Sequence, residues 1–146
     1  LDKCDKRQMR NFAFVQCDGE KLPFKDNQVD AITMAYGFRN IGHYNMALNE
    51  FFRVLKPNGK LAILEFSSPK SKIFDAIYQW YFKHILPRIA SLFSRSDAYR
   101  YLPESVENFP ARNEMMDMMQ SAGFIRTSCI DLTFGVTSIF HGRKFG

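Results

Sequence analysis

Short apolar runs alternate along the chain with segments in which apolar positions recur at helical spacing. Three of these runs are almost continuously apolar and predict buried strands at Phe12–Cys17, Val29–Tyr36 and Leu61–Phe66. Buried strands separated by helical segments are typical of a parallel sheet that is covered on both faces. The pattern therefore predicts an α/β fold.

The segment between the second and third runs predicts a helix from Met46 to Leu55. Its apolar positions follow the i, i+3, i+4, i+7 spacing of a single helix face: Leu48, Phe51, Phe52 and Leu55. The sequence Lys56-Pro57-Asn58-Gly59 comes next. Proline and glycine just past a helix stop it, so we expect the chain to turn there.

The C-terminal third predicts a second helix followed by a β-hairpin. The helix opens at Phe109-Pro110 and closes at Gly123, and its apolar stripe is expected to pack in the core rather than to form a ligand site: Met115, Met118, Met119 and Ala122. Two β-like runs follow, Ile125–Leu132 and Val136–His141. Only Thr133-Phe134-Gly135 joins them, and so short a connection requires antiparallel pairing.

Residues 69–108 are predicted to form an inserted helical segment within one domain that spans residues 1–146. Apolar and aromatic residues occur nearly all round its stretch Ile73–Phe93, which indicates core packing. Cationic residues interleave with them: Lys70, Lys72, Lys83 and Arg88. That composition equally suits a surface that touches an anionic bilayer without inserting. The sequence leaves both hypotheses open.

Composition removes several classes of function. A hydrophobic content of 46% excludes a disordered chain. The net charge of +5 is scattered rather than clustered, so nucleic-acid binding is not predicted. The three cysteines lie far apart and the three histidines share no ligand spacing, so neither disulfides nor a metal site is expected. This cysteine usage predicts a reducing compartment, the cytoplasm. The cationic and aromatic stretch adds the hypothesis of peripheral contact with the inner membrane.

Several motifs carry a family resemblance. The particular ones are Gly37-Phe-Arg-Asn40 and Tyr99-Arg-Tyr-Leu-Pro-Glu-Ser105. Less specific pieces accompany them: Leu22-Pro23-Phe24 with Asp30, Arg53-Val-Leu-Lys-Pro57, Leu64-Glu-Phe-Ser67, His84-Ile-Leu-Pro87 and Ala122-Gly-Phe124. From about residue 12 onward the chain resembles the UbiE-type ubiquinone/menaquinone biosynthesis C-methyltransferases. The resemblance implies a Rossmann-like class I methyltransferase sheet that ends in the C-terminal antiparallel hairpin.

The chain departs from this family at its start. The family has two strands and a Gly-rich loop first, and residues 1–11 are too short and too polar to supply them. The resemblance therefore implies an N-terminally truncated cofactor domain, inactive or weak as an isolated chain. The family strand order puts the absent strands between Phe12–Cys17 and Val29–Tyr36. Unpaired strand edges favour association, so we expect a homo-oligomer. The alternative is that Phe12–Phe24 folds differently from its family position and caps the exposed edge of the same molecule.

The resemblance also implies S-adenosyl-L-methionine as cofactor. Asp18, at the end of the first predicted strand, would accept a hydrogen bond from the adenine amine, and Gly19 would offer its backbone amide. Ala35, at the end of the next strand, would back the cofactor. In an open parallel sheet ligands gather at the carboxyl ends of strands, where Asp18 and Ala35 are expected. The alternative for Asp18 and Gly19 is a plain turn-forming pair.

The reaction implied is methylation of a ring carbon in a polyprenyl quinol, of the demethylmenaquinol or the 2-polyprenyl-6-methoxy-benzoquinol type. Arg39 would stabilise the phenolate electrostatically and Asn40 would orient a water that takes the proton. The alternative for Arg39 is an ion pair with an acidic neighbour across the loop. Leu102-Pro-Glu-Ser105 inclines the acceptor towards a naphthoquinol. Two further hypotheses are a non-catalytic fragment that dimerises or binds a partner, and a methyltransferase that acts on another lipid-like ring or sterol.

Overall fold

The computed structural model describes residues 12–67, Trp80, His84 and residues 108–146. Within them, four strands form one mixed sheet in the order β1-β2-β4-β3. Their bounds are Val29–Ala35 for β1, Leu55–Phe66 for β2, Phe124–Leu132 for β3 and Thr137–Lys144 for β4. β1 and β2 are parallel, whereas β2–β4 and β3–β4 are antiparallel. The predicted C-terminal hairpin is thereby confirmed.

Two helices contribute to the core on one face of the sheet, α1 at Tyr44–Val54 and α2 at Arg112–Ser121. Buried side chains from both helices and from the strands form one cluster, which includes Leu48, Phe51, Leu61, Ile63, Met115, Met119 and Phe140. The methionine stripe is thus core, as its spacing predicts. The opposite face carries Ala62, Leu64 and Ile139, which are half-buried, and the described part of the chain places no helix on it.

The junction between α1 and β2 differs from the prediction in one respect. α1 ends at Val54, within one residue of the predicted end, but β2 begins at once instead of at Leu61. Val29 pairs with Leu55, and the register then shifts before Ala31 pairs with Lys60. The predicted turn at residues 56–59 is therefore an irregularity inside β2. Gly59 is required there, because a Cβ would lie 2.8 Å from the carbonyl oxygen of Lys56.

The predicted strand Phe12–Cys17 is wrong. These residues form no strand, and Phe14 is 64% exposed. A strand exists only where a neighbour accepts and donates its backbone hydrogen bonds. β1 is the edge of the described sheet, and no described strand lies beyond it to pair with residues 12–17. For the same reason the expected parallel sheet covered on both faces is, in this part of the chain, a mixed sheet with one covered face.

An arginine on α1 fastens the segment that precedes β1. Arg53 donates to the carbonyl oxygens of Leu22 and Phe24 at 3.3 and 2.9 Å and pairs with Asp26 at 2.6 Å. Glu50 receives the amide of Leu22 at 2.8 Å and pairs with Arg53 at 2.7 Å. The hydrogen bond from Arg53 holds the pKa of Glu50 below its ordinary value. Charge and backbone contacts together fix residues 22–26 against α1.

The contacts of Arg53 and Glu50 with residues 22–26 predict that the stability of the fold falls in acid. Because the folded-state pKa of Glu50 lies below the ordinary 4.5, its stabilisation is present above that pH and is lost as the pH falls through the folded-state pKa. We expect Glu50→Gln to lower the free energy of unfolding at about pH 7 and to have much less effect near about pH 3. Urea unfolding at both pH values measures this. Asp117→Asn, at an exposed position of α2, is the control; an equal loss at both pH values for Glu50→Gln would contradict the prediction.

The predicted insertion at 69–108 lies outside the described residues, apart from Trp80, His84 and Asn108. Trp80 is 56% exposed and its ring stacks on that of His84. Among the helices that the structure describes, none is long and apolar enough to cross a bilayer. The same residues contain no group of three or more potential metal ligands. The insertion itself stays a prediction.

Candidate functional site

The carboxyl ends of β1 and β2 meet at one edge of the sheet, because the two strands are parallel. The chain leaves β1 through Tyr36 and Gly37 and forms a 3₁₀ turn over Phe38–Asn40. Phe38 is fully buried, and its ring stacks on Tyr44 with centroids 5.3 Å apart. This buried aromatic anchors the turn, so that the next two residues, Arg39 and Asn40, lie at the sheet edge.

Arg39 is held by three neighbours at this edge. Its Nη1 donates to Glu65 Oε1 at 2.6 Å and to the carbonyl oxygen of Tyr36 at 2.8 Å. Its guanidinium carbon lies 5.4 Å from the ring centroid of Phe66. The ion pair considered as the alternative role is therefore present, but its acid comes from β2 rather than from the loop. Ion pairing and an electrostatic role towards a substrate are compatible, since one carboxylate engages only part of a guanidinium.

Asn40 closes the turn and is exposed. Its backbone amide donates to the carbonyl oxygen of Gly37 at 3.1 Å. The carbonyl oxygen of the preceding residue, Arg39, accepts a hydrogen bond from the hydroxyl of Tyr44 at 3.2 Å. The backbone of this turn is thus fixed from both sides, which leaves the Asn40 side chain on the outer surface.

The turn at Asp18 and Gly19 packs against the loop that follows Asn40. Asp18 Oδ1 accepts the amide of Glu20 at 2.9 Å, the geometry of a turn-forming aspartate. A Cβ on Gly19 would lie 3.2 Å from Ile41 Cδ1. The carboxylate of Glu20 accepts the amide of His43 at 2.7 Å. The structure therefore brings Gly19 close to the Arg39–Asn40 turn, and Asp18 makes the contact of its alternative role while its carboxylate stays exposed.

Two apolar grooves flank β1. One, of about 480 Å³, lies between the residues around Gly19 and the exposed edge of β1, and its lining includes Leu22, Phe24 and Ile32. The other, of about 340 Å³, lies where Ala35 and Leu64 line the opposite, uncovered face. Ala35 is at the strand end, as predicted. Four of the five predicted site residues lie on two neighbouring turns: Asp18, Gly19, Arg39 and Asn40. The fifth, Ala35, lies on the uncovered face of β1.

A buried polar cluster beside this edge was not predicted. Ser67, directly after β2, bonds to Ser138 Oγ at 2.7 Å and to the carbonyl oxygen of Gly135 at 2.9 Å. Arg112 donates to Ser67 Oγ at 3.0 Å and pairs with Asp131 at 2.7 Å. The residues paired here are 19 to 71 positions apart in the sequence, so no local sequence pattern predicts the cluster. Glu65 was missed for the same reason, although it lies inside the motif Leu64-Glu-Phe-Ser67.

Solved structures of similar architecture identify the fold of this chain. The chain is similar to a SAM-dependent methyltransferase from Aquifex aeolicus, with a TM-score of 0.63 and 21% identity over 97% of this chain and 60% of that one. It is also similar to the [4+2]-cyclase SpnF, with a TM-score of 0.70 and 16% identity over 99% of this chain and 61% of that one. At these identities the likeness shows the fold alone. That fold is the Rossmann-like α/β fold of class I methyltransferases.

Sequence comparison narrows the class to one family. Residues 2–144 match the sequence model of the ubiE/COQ5 methyltransferase family. A ubiquinone/menaquinone biosynthesis C-methyltransferase UbiE of Geobacter sulfurreducens is 46% identical over 86% of this chain and 49% of its own length. A demethylmenaquinone methyltransferase of Deinococcus radiodurans is 46% identical over 90% of this chain and 54% of its own length. The chain belongs to the ubiE/COQ5 methyltransferase family, and it spans about half the length of the curated relatives it matches.

Proposed function

We propose that the protein to which this chain belongs is an S-adenosylmethionine-dependent C-methyltransferase that methylates the ring of a polyprenylated quinol. The observation that supports this most is the sheet edge at which Arg39 is anchored beside the Gly19 turn, in a chain of this family. A positive charge fixed at the carboxyl ends of parallel strands is placed where such sheets bind their ligands.

The residues at the Asp18 turn fit the adenine end of the cofactor. The Asp18 carboxylate is exposed and can accept a hydrogen bond from an exocyclic amine. Gly19 presents backbone without a side chain next to an apolar groove lined by Leu22 and Phe24, which suits one edge of a flat ring. Ala35 would contribute only bulk or backbone on the other side of the strand. The bound cofactor supplies an electrophilic methyl group.

The chain's own chemistry would act on the quinol. A ring carbon becomes nucleophilic when the adjacent hydroxyl loses its proton, and the resulting phenolate needs a nearby positive charge. Arg39 stays protonated in proteins and would supply that charge from a fixed position. Asn40, exposed on the outer side of the same turn, would orient the water that removes the proton. We assign Arg39 electrostatic stabilisation in preference to direct base catalysis, because a guanidinium holds its proton strongly.

The proposal also covers the quinol acceptor, the cellular location of the protein and its contact with the membrane. The relatives bear the names of ubiquinone/menaquinone and demethylmenaquinone methyltransferases, so either a benzoquinol or a naphthoquinol is a candidate acceptor. A polyprenyl tail partitions into a bilayer. We therefore infer a cytoplasmic enzyme that touches the membrane surface peripherally, with the cationic and aromatic stretch of residues 70–93 as the contact.

The full-length protein tests the proposal. It is incubated with S-adenosylmethionine that carries a labelled methyl group, and with either demethylmenaquinol or 2-polyprenyl-6-methoxy-benzoquinol. We expect label on a ring carbon of one acceptor, located by mass spectrometry. Transfer to neither quinol but to a sterol or another lipid-like ring would support the alternative acceptor. Cofactor-independent self-association with no transfer at all would support the non-catalytic hypothesis.

The 146-residue chain by itself is expected to bind S-adenosylmethionine poorly. Its sequence contains neither the Gly-rich loop nor the ribose-binding carboxylate of the family's first strands, so only the adenine end finds partners. Isothermal titration should show no binding with a dissociation constant in the low micromolar range. The full-length protein is the positive control. Stoichiometric low-micromolar binding by the chain alone would contradict this prediction.

The chain is also expected to associate with itself. β1 presents an unpaired edge within the described sheet, and the side chains of residues 12–15 include exposed Phe12, Phe14 and Val15. Unpaired edges and apolar patches favour association, and two-fold pairs are the commonest homo-oligomers. Sedimentation velocity should therefore show a dimer at modest concentration. The substitution Thr33→Lys puts a charge on the β1 edge and should shift the chain from dimer to monomer. A wild-type chain that is monomeric at every concentration would contradict the prediction.

A further inference from the structure

Glu65 is a fully buried carboxylate at the carboxyl end of β2. It lies beside the end of β1, because Ala35 pairs with Leu64. Within the described part of the chain, its oxygens accept hydrogen bonds from Arg39 Nη1 at 2.6 Å, from the Arg39 amide at 3.3 Å and from the Phe66 amide at 3.0 Å. The carboxylate thus binds both the backbone and the side chain of Arg39.

The two hydrogen bonds from Arg39 to Glu65 determine where the charge of Arg39 lies. The Arg39 side chain is only 11% exposed, and a charge withdrawn from water needs a partner of opposite sign. A long, flexible side chain also has many rotamers, which contacts at one end restrict. Glu65 supplies both the opposite charge and the fixed end. Among the residues that the structure describes, the buried Nε of Arg39 has no hydrogen-bond partner, so one edge of the guanidinium has an unused donor there.

We propose that Glu65 is a positioning residue for Arg39. It neutralises the side of the guanidinium that faces the protein and holds the rest in the orientation that stabilises an anionic oxygen of the substrate. Preorganised charge of this kind needs no rearrangement as the reaction proceeds. The proposal rests on the proposed function, in which Arg39 stabilises the quinol phenolate.

A double-mutant cycle on turnover of the full-length enzyme tests it. The variants are Glu65→Gln, Arg39→Ala and the two combined, assayed for kcat and for the KM of S-adenosylmethionine. We expect Glu65→Gln to lower kcat by about tenfold to a hundredfold with little change in that KM, as for a misplaced catalytic group. In the Arg39→Ala background the same change should have almost no further effect on kcat, because Glu65 acts through Arg39. Glu114→Gln, which changes an exposed glutamate of α2, is the matched control.

The outcomes separate this inference from the function it rests on. If Glu65→Gln lowers kcat by the same factor in both backgrounds, Glu65 acts independently of Arg39 and the inference is overturned, while the proposed function stands. If the wild-type enzyme transfers no methyl group to a quinol, both fall. Should Glu65→Gln fail to fold, Glu65→Asp replaces it in the cycle: it keeps the charge but is too short to span both Arg39 donors. The same loss of effect in the Arg39→Ala background is then expected, and full additivity overturns the inference.

Discussion

Arg39→Ala in the full-length enzyme is expected to lower turnover by about a hundredfold or more while leaving the affinity for S-adenosylmethionine largely intact, the scale for one preorganised charge contact. The guanidinium is anchored by Glu65 and by the carbonyl oxygen of Tyr36 at the carboxyl end of β1, and neither contact involves the Asp18 turn that would hold the adenine. In the proposed mechanism, losing it removes a contact to the developing phenolate rather than to the cofactor. Single-turnover kinetics and titration calorimetry measure the two quantities separately.

Two further variants serve as controls for the loss of an arginine elsewhere and for the loss of charge alone. Arg126→Ala removes an exposed arginine from β3 and should leave turnover unchanged. Arg39→Lys keeps the charge but cannot reproduce the planar fork, so it should recover only part of the turnover. Because Arg39→Ala leaves the buried Glu65 without its ion-pair partner, thermal unfolding is followed in parallel so that only folded protein is compared. A raised cofactor dissociation constant with normal turnover would show that the assigned role is wrong.

Phe38→Ala is expected to lower the free energy of unfolding by about 3–5 kcal/mol, the range for deleting a buried phenylalanine ring. Phe38 is fully buried, and its ring contacts those of Tyr44, Phe51 and Phe109. Removing the ring leaves a cavity between α1 and Phe109, which precedes α2. The turn that carries Arg39 loses its anchor at the same time, so turnover should also fall. Urea unfolding followed by circular dichroism measures the stability.

The chain offers a matched control in Phe145, which is 72% exposed. Phe145→Ala should change the free energy of unfolding by no more than about 0.5 kcal/mol, as for most surface substitutions. Phe38→Leu, which keeps most of the buried volume, should fall between the two. A loss below about 1 kcal/mol for Phe38→Ala would mean that the ring packs less tightly than the structure shows.

The elements that the sequence predicted well are those whose interactions are local. α1 and α2 follow from apolar residues three and four positions apart, and the hairpin follows from a connection too short for any other pairing. Phe12–Cys17 has an equally apolar pattern and forms no strand, because pairing depends on a neighbouring strand that the pattern does not contain. The bulge in β2 likewise depends on how β1 lies beside it, with Val29 opposite Leu55 and Ala31 opposite Lys60.

For the site, the sequence by itself determined that Arg39 and Asn40 directly follow a predicted strand, and it supplied the residue types that the proposed chemistry needs. Only the tertiary structure decided that Glu65, 26 residues further along, is the partner of Arg39, and that Ala35 lies on the far face of β1. The physical reason is the parallel register of β1 and β2. That register places Ala35 beside Leu64 and so brings a buried carboxylate to the one edge where a guanidinium requires it.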